Sequence, residues 1–183
     1  LHGWPQAPYK TKLEVDANYK RMLHFGCQKK NAECVHLGIA THNLFEIAYA
    51  LLVRAREAVE DYVELEMLEG MANSQSRVVQ GIAGGMLRYT PVVKKEGFHS
   101  AISYLVRRMD ENTHEENFLH DLFGMQPGDA KWSGQKKVFL DSCAYRDALQ
   151  NTSNRTQDRR NQDDLVKYKH AFLNCPFTDL VLR

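Results

Sequence analysis

The segment ECVHLGIATHN, residues 33–43, joins the two kinds of element from which we expect the fold to be built. Residues 34–40 are apolar and β-prone, which predicts a short buried strand. Asn43 can cap a helix that follows directly, because its side chain can accept a hydrogen bond from a backbone N–H of the first turn. Thr41 and His42 then lie at the junction. A strand followed at once by a capped helix is typical of α/β folds.

The alternation of helices and strands continues on both sides of this segment. Upstream, apolar spacing behind Thr11 and Asp16 predicts a helix over residues 15–26. Downstream, the pattern predicts a helix to about residue 60, a strand at 62–68, a helix over 73–80, a strand at 86–91, a helix over 98–110, and a helix to about 123 that starts at a capping box of Thr113 and Glu116. The helix after Asn43 should bury the face with Leu44, Ile47, Ala48, Leu51, Leu52, Ala55 and Val59. Strands alternating with helices predict a parallel sheet with right-handed crossovers.

Only about three strands are predicted, whereas a closed (βα)8 barrel needs about eight strands and roughly 200–250 residues. Two of the three strands would have an unpaired edge. The chain also starts at Leu1, not at a methionine, within a loop-like stretch. We therefore interpret it as a piece of a longer protein whose missing strands lie upstream. Residues 125–183 include a polar stretch without apolar periodicity at 150–164, which predicts a helical or irregular linker.

Composition limits the class of function. The 183 residues are 43% hydrophobic and 26% charged, with 24 Lys and Arg against 23 Asp and Glu, as in an ordinary soluble domain. The even charge balance argues against a nucleic-acid partner, because phosphate binding needs a basic excess. No apolar run approaches the ~20 residues of a membrane span, and no signal-peptide pattern opens the chain. Four separated cysteines without a C-x-x-C pair favour a reducing cytoplasm.

Each predicted strand ends in side chains that could carry chemistry. In parallel sheets these ends gather at one edge, where ligands bind in open sheets and barrels alike. They are residues 41–43, 68–71 and 89–91. His42 could contact the polar edge of a ligand's ring, or it could be a packed, hydrogen-bonded histidine. Tyr89 could face the same edge, or it could pack in the core with a satisfied hydroxyl.

A second candidate feature is the helix over 98–110, which carries Tyr104, Arg107 and Arg108 at positions i, i+3 and i+4. The tyrosine therefore shares a face with both arginines, although the two arginines diverge by about 100°. An arginine can hold a carboxylate or phosphate through two parallel charge-assisted hydrogen bonds. The alternative is a pair of solvated arginines near a helix C-terminus, where they also favour the helix dipole.

Other patterns indicate less. Glu66, Glu69 and Glu111 could be ligand partners or simply solvated carboxylates. The eight histidines show no metal-ligand spacing, so no metal is predicted. Neither a G-x-G-x-x-G nor a P-loop is present, so a Rossmann dinucleotide fold is not supported.

Four motifs in order resemble those of the proline dehydrogenase family: ATHN (40–43), ELEMLEGMA (64–72), LRYTPV (87–92) and YLVRRMDENTHEENFL (104–119). The stretch AFLNCPFTDLVLR (171–183) resembles the approach to an aldehyde dehydrogenase domain. The resemblance implies the C-terminal part of a distorted (βα)8 barrel in residues 1–124 and a linker in 125–183. The parent would be a bifunctional bacterial proline utilization enzyme, a proline dehydrogenase joined to a pyrroline-5-carboxylate (glutamate semialdehyde) dehydrogenase.

The resemblance also assigns residues to a site. Arg107 and Arg108 would clamp the carboxylate of L-proline, Tyr89 and Tyr104 would flank its ring, and Leu68 would pack near substrate and flavin. Positions that line FAD in the family correspond to Thr41, His42, Asn43, Glu66, Met67, Leu68, Arg108, Glu111, Asn117 and Phe118. Upstream strands of the family, with a lysine and an aspartate on the substrate side, have no counterpart in this sequence.

The function implied is FAD-dependent oxidation of L-proline to 1-pyrroline-5-carboxylate, with NAD used only by the second domain. Electrons would pass to a quinone, which would bring the parent to the inner membrane as a peripheral protein. The parent would otherwise be cytoplasmic and a homo-oligomer. This chain alone should not turn over proline. The competing hypothesis is a non-catalytic α/β interaction module or decayed relative that docks on a partner through its open sheet edges.

Overall fold

Three parallel strands form the centre of the fold, as the sequence predicts. The computed structural model describes residues 9–152. Its elements are α1 (Lys12–Gly26), α2 (Lys29–Ala32), β1 (Leu37–Ala40), α3 (Leu44–Glu57), β2 (Val63–Leu68), α4 (Asn73–Ala83), β3 (Leu87–Tyr89), α5 (Phe98–Glu111), α6 (Phe118–Leu122) and α7 (Ala130–Tyr145), with a 3-10 turn at Lys95–Gly97. Among the described residues, no helix is both long and apolar enough to span a membrane.

The strands pair in chain order, with β2 between β1 and β3. Ala40 lies opposite Glu66, and Glu66 lies opposite Leu87 on the other side. All three strands point the same way, so their C-terminal ends reach one edge of the sheet. Both outer strands keep an unpaired edge within the described residues. Closure of a barrel is therefore not seen in this part of the chain.

The two faces of the sheet differ. Val63, Leu65 and Met67 alternate along β2 and are buried among the residues of the helical layer. On the opposite face, Glu64 is exposed, and Leu87 on β3 keeps 43% of its surface exposed. Parallel sheets are normally covered on both faces. The described residues thus cover one face of this sheet and leave most of the other open.

Of two helix starts predicted from capping residues, one is confirmed and the other is wrong. Asn43 caps α3 as expected, since its Oδ1 accepts a hydrogen bond of 2.9 Å from the Phe45 amide. The predicted capping box of Thr113 and Glu116 is wrong. The Thr113 hydroxyl instead donates to the Asp110 carbonyl at 2.7 Å, and the chain turns until Asn117 caps the short helix α6.

The predicted buried face of α3 is wrong in part. Leu52 has 71% of its surface exposed, and Ala48 and Ala55 are exposed as well. The helix instead buries a face that contains Glu46 and Arg54. Because α3 is apolar on more than one side, the pattern alone did not show which side faces the sheet. Both of these buried charged residues have partners: Glu46 pairs with Lys20, and Arg54 donates to the carbonyls of residues 63 and 83 at 3.0 and 3.1 Å.

Helix α7 lies in the segment predicted as a linker, and it packs against α1 and α3. Its Phe139 ring stacks on Phe45, with 5.8 Å between ring centroids, and meets Tyr49 edge-on at 5.6 Å. Trp132 lies 4.8 Å from Phe45 by the same measure. The described start of the linker segment is thus attached to the α/β layers. The boundary at residue 124 stays a prediction, and residues 153–183 lie outside the described range.

Candidate active site

A cavity of about 710 Å³ lies at the C-terminal ends of the strands. Residues of α1, α5 and the turn before α6 complete its wall. Of the site residues that the family resemblance assigns, all but Arg107 line it: Thr41, His42, Asn43, Glu66, Met67, Leu68, Tyr89, Tyr104, Arg108, Glu111, Asn117 and Phe118. The structure therefore brings these residues to one place, whereas the role of each stays a prediction.

The first strand exit is held by a chain of local hydrogen bonds. The Thr41 amide continues the sheet by donating to the Glu66 carbonyl at 3.2 Å. The Thr41 hydroxyl oxygen accepts from the Asn43 amide at 3.1 Å, and Asn43 in turn caps α3. Each polar side chain of this tight junction thus has a backbone partner, which fixes the turn between β1 and α3.

His42 is fixed in one protonation state by its neighbours. The Leu68 amide donates to its Nε2 at 3.2 Å, so Nε2 presents a lone pair and the ring proton sits on Nδ1. Burial lowers the pKa of His42, which keeps the ring neutral near pH 7. Within residues 9–152, no acceptor reaches the buried Nδ1. The Nδ1–H group is therefore a donor without a partner on a residue that lines the cavity.

Helix α5 supplies an aromatic and cationic wall. The rings of Tyr89 and Tyr104 meet edge-to-face, with 6.2 Å between centroids. The Arg108 guanidinium lies 5.6 Å from the Tyr104 ring centre and forms an ion pair with Glu111. The Arg108 side chain is 40% exposed, yet its Nε is buried and has no acceptor among the described residues. Arg108 therefore keeps N–H donors for a ligand.

Arg107 does not join this wall. Its side chain is exposed, and it is not part of the cavity lining. Neighbouring helix residues project about 100° apart, so a helix that turns one of two adjacent arginines toward a cavity turns the other away. A clamp of two guanidinium groups is thus not formed by the described residues, and the role of Arg107 stays a prediction.

At the second strand exit, Glu66 lies over a glycine. A Cβ added to Gly38 would lie 2.0 Å from Glu66 Oε1, so a side chain at residue 38 would displace the carboxylate. Glu69, the other acidic candidate on this strand exit, pairs with Arg88 at 3.5 Å and is not part of the lining. For Glu69 the geometry thus favours the solvated alternative.

The turn between α5 and α6 is fixed from both ends. Asn117 accepts from the Leu119 amide at 2.9 Å and donates through Nδ2 to the Glu111 carbonyl at 3.1 Å. Phe118 is buried and meets Phe45 edge-on at 6.3 Å between centroids. Asn117 and Phe118 therefore attach the end of α5 to α3.

Sequence reasoning missed the part of the lining that α1 and α3 supply, namely Lys12, Asp16, Tyr19 and Glu46. The first three recur at helical intervals, which was a usable signal of a shared face. Burial raises the pKa of Tyr19 well above its usual value, so its hydroxyl stays protonated. Glu46 forms an ion pair with Lys20, whose side chain is fully buried.

Comparisons with known proteins indicate the family of this chain. The family model described as "Proline dehydrogenase" matches residues 1–121. A search of the curated proteins finds no match. Among solved structures, that of Proline Utilization A (PutA) from Corynebacterium freiburgense is similar, with 38% sequence identity and a TM-score of 0.68. The alignment covers 85% of this chain but 14% of that one, so this chain spans a small part of that protein's length. By the family match and this likeness, the chain belongs to the proline dehydrogenase family.

Proposed function

We propose that this chain forms the C-terminal part of an FAD-dependent proline dehydrogenase, which oxidises L-proline to 1-pyrroline-5-carboxylate. The observation that carries the proposal is the convergence of three strand exits and one face of α5 on a single cavity. Family membership supports the reaction class, and the residues that line the cavity supply hydrogen-bond donors, aromatic rings and a guanidinium group for binding.

The residues on the cavity suit a flavin. The buried Nδ1–H of His42 and the buried Nε–H of Arg108 have no acceptor among residues 9–152, and the edge of an isoalloxazine ring carries nitrogen and oxygen acceptors. The residues that would hold FAD are Thr41, His42, Asn43, Glu66, Met67, Leu68, Arg108, Glu111, Asn117 and Phe118. When bound, FAD supplies the oxidant, an acceptor for the hydride that leaves C5 of proline.

The chain's own residues bind and orient the substrate in this proposal. Arg108 donates to the proline carboxylate through its guanidinium, and its pairing with Glu111 leaves other N–H groups free for that contact. Tyr89 and Tyr104 flank the pyrrolidine ring, and Leu68 excludes water beside it. These contacts align the proline ring with the flavin, because a bidentate contact at one end of a small molecule fixes the position of the other end.

Arg107 would join the proposed clamp only in the full-length enzyme, because it is exposed and off the cavity lining in the described residues. Replacing Arg107 and Arg108 one at a time therefore measures the contribution of each to proline binding.

The wider setting is part of the same proposal. The parent would be bifunctional, with an NAD-dependent aldehyde dehydrogenase domain that completes oxidation to glutamate. It would be a cytoplasmic homo-oligomer that passes electrons to a quinone at the membrane. The small share of Proline Utilization A that this chain matches supports a larger parent. The largely open sheet face supports the proposal that this chain alone is inactive, because the described residues leave uncovered the face of the sheet from which Glu66 and Tyr89 line the cavity.

The second candidate is a non-catalytic interaction module. The open face and unpaired edges of the sheet favour it, because such edges can accept a strand from a partner. A module of this kind needs neither a flavin nor proline.

The visible spectrum of the full-length protein separates the two functions. Under anaerobic conditions, the enzyme should show a flavin band that bleaches when L-proline is added. D-proline is the matched control, because it has the same groups in the opposite arrangement. A protein without a flavin band, or one whose band L-proline leaves unchanged, would contradict the proposed enzyme and favour the interaction module.

A further inference from the structure

A buried ion pair lies in the wall of the cavity, apart from every residue discussed so far as a ligand contact. Glu46 on α3 binds Lys20 on α1 through Oε1. The side chain of Lys20 has no exposed surface, and that of Glu46 has 9%. Glu46 is nevertheless part of the cavity lining. Lys20 thus lies in the interior of the fold, and its partner Glu46 lies at the cavity wall.

The second oxygen of this carboxylate has no partner. Glu46 Oε2 is buried, and no donor among residues 9–152 reaches it. A buried acceptor without a hydrogen bond costs stability, and the cost is larger for a charged group. Native structures therefore rarely leave such an atom unsatisfied unless a water, an ion or a ligand meets it.

Burial raises the pKa of Glu46, and the hydrogen bond and charge of Lys20 oppose that shift. Three features place the carboxylate at the cavity wall. Lys20 neutralises its charge at Oε1. Glu46 lies in the first turn of α3, where the helix dipole favours a negative charge. Lys20 is itself held from the other side, because its Nζ lies 4.7 Å from the centre of the Phe139 ring on α7. Helices α1, α3 and α7 thus fix the position of the carboxylate.

We propose that Glu46 Oε2 accepts a hydrogen bond from an N–H or O–H group of the cofactor that occupies this cavity. The inference rests on the proposed function, under which that molecule is FAD. The flavin ring has one imide N–H, and the ribityl chain carries hydroxyl groups, so FAD offers donors of both kinds. Glu46 is then a binding residue that α1 and α7 support through Lys20.

The test compares two variants of similar volume, one with and one without an amide group at residue 46. Lys20→Met/Glu46→Gln and Lys20→Met/Glu46→Leu both remove the buried charges, and substitution of a buried ion pair by residues of similar volume is usually tolerated. Only glutamine keeps an oxygen at the cavity wall. Apo-protein of the full-length form is titrated with FAD, and quenching of flavin fluorescence gives the dissociation constant.

We expect the leucine variant to bind FAD about 10-fold more weakly than the glutamine variant, the loss for about one hydrogen bond. Glu57→Gln, an acid-to-amide change at the far end of α3, is the control and should alter the dissociation constant by less than about 2-fold, because its carboxylate pairs with Arg56 away from the cavity. Thermal unfolding of each apo-protein shows whether it is folded. Lys20→Met/Glu46→Met replaces the leucine variant if that one unfolds.

Two results would overturn the inference, and only one of them would also reject the proposed function. If the wild type binds FAD and the glutamine and leucine variants bind it equally, Glu46 is a structural residue only and the proposed function stands. If the wild type binds no FAD, both the inference and the proposed function fail.

Discussion

The region around β2 and the region around β3 and α5 are built differently. Leu65 on β2 keeps 1% of its surface exposed, whereas Tyr89 on β3 keeps 51%. Helix α3 buries several residues, whereas α5 buries Ala101 alone. The cavity lies between the two regions. The packed region holds the strand-exit groups in place, and the open region carries the tyrosine and arginine proposed to bind substrate.

This difference indicates what each region needs from its surroundings. The packed region buries its apolar groups and pairs Lys20 with Glu46 inside it, although Glu46 Oε2 has no partner among residues 9–152. The open region has apolar side chains that the described residues do not cover. Segments with few buried contacts are the ones that open and move most readily. We therefore expect the position of Arg108 to depend on parts of the parent protein that lie beyond the described residues.

Two ion pairs, one in each region, should differ strongly in what they contribute to stability. Glu46→Ala removes one partner of a buried pair and leaves Lys20 charged and unpaired, which should lower the free energy of unfolding by about 3–5 kcal/mol. Glu69→Ala breaks the pair with Arg88 in the open region, where both side chains are partly exposed, and should cost about 1 kcal/mol or less. Urea unfolding of the flavin-free protein measures both values. Similar costs for the two variants would remove the distinction between the regions.

The next test asks what covers the open face of the sheet. Leu65→Ala should cost about 2–5 kcal/mol, the usual range for a buried leucine. Leu87 lies opposite Glu66 on the open face. If upstream barrel strands cover this face in the full-length protein, as proposed, Leu87→Ala should cost about 2 kcal/mol or more. A cost below about 1 kcal/mol in that protein would mean that the face stays open, which favours the interaction module.

The proposed clamp gives the third prediction. Arg108→Ala in the full-length enzyme should raise the Michaelis constant for L-proline by roughly 10- to 100-fold, because a hydrogen bond to a charged group contributes about 1.5–3 kcal/mol. Arg108→Lys keeps the positive charge but loses the planar guanidinium that can donate two parallel hydrogen bonds. Its Michaelis constant should lie between those of the wild type and Arg108→Ala. Arg107→Ala should have the smaller effect, since Arg107 is exposed and off the lining.

Steady-state kinetics with varied proline separates the outcomes. Equal losses at the two arginines would mean that α5 turns both toward the substrate in the full-length enzyme. Unchanged Michaelis constants in both alanine variants would contradict the clamp.

Much of the fold followed from local patterns in the sequence. The strand before Thr41 and the cap at Asn43 could be predicted because both depend on residues next to one another in the chain. The same local signals placed the three strand ends, and these ends line the cavity. The motif resemblance then named the residues of the open region.

The features that escaped prediction depend on contacts between distant segments. Lys20 and Glu46 are 26 positions apart and meet only when α1 packs on α3. The buried side of α3 and the orientation of Arg107 are likewise set by the neighbours of each helix, not by its own apolar spacing. A charged residue on the buried face of each helix was the available signal, but a pattern for one helix does not identify its partner in another.

The pH dependence of stability should show a small contribution from one histidine of the packed region. His24 lies where α1, α3 and α7 meet, with its Nε2 2.5 Å from the Tyr49 hydroxyl and 2.9 Å from Arg146 Nη1. Arg56 approaches its Nδ1 at 3.4 Å. Burial lowers the pKa of His24, and the two guanidinium groups lower it further, although Asp147 and Glu57 oppose them.

The sign of the pH effect follows from this lowered pKa. As the pH falls below about 6.5, His24 becomes protonated in the unfolded chain while it is still largely neutral in the folded chain. Protonation therefore favours the unfolded state, and the free energy of unfolding should fall as the pH falls through this range. His24→Gln should reduce that slope, because glutamine does not titrate. The change in slope is read against His99→Gln, the same substitution on the exposed surface of α5. Urea unfolding at several pH values between about 5.5 and 7.5 measures the slope. An unchanged slope in His24→Gln would mean that α7 does not hold His24 between the two arginines in solution.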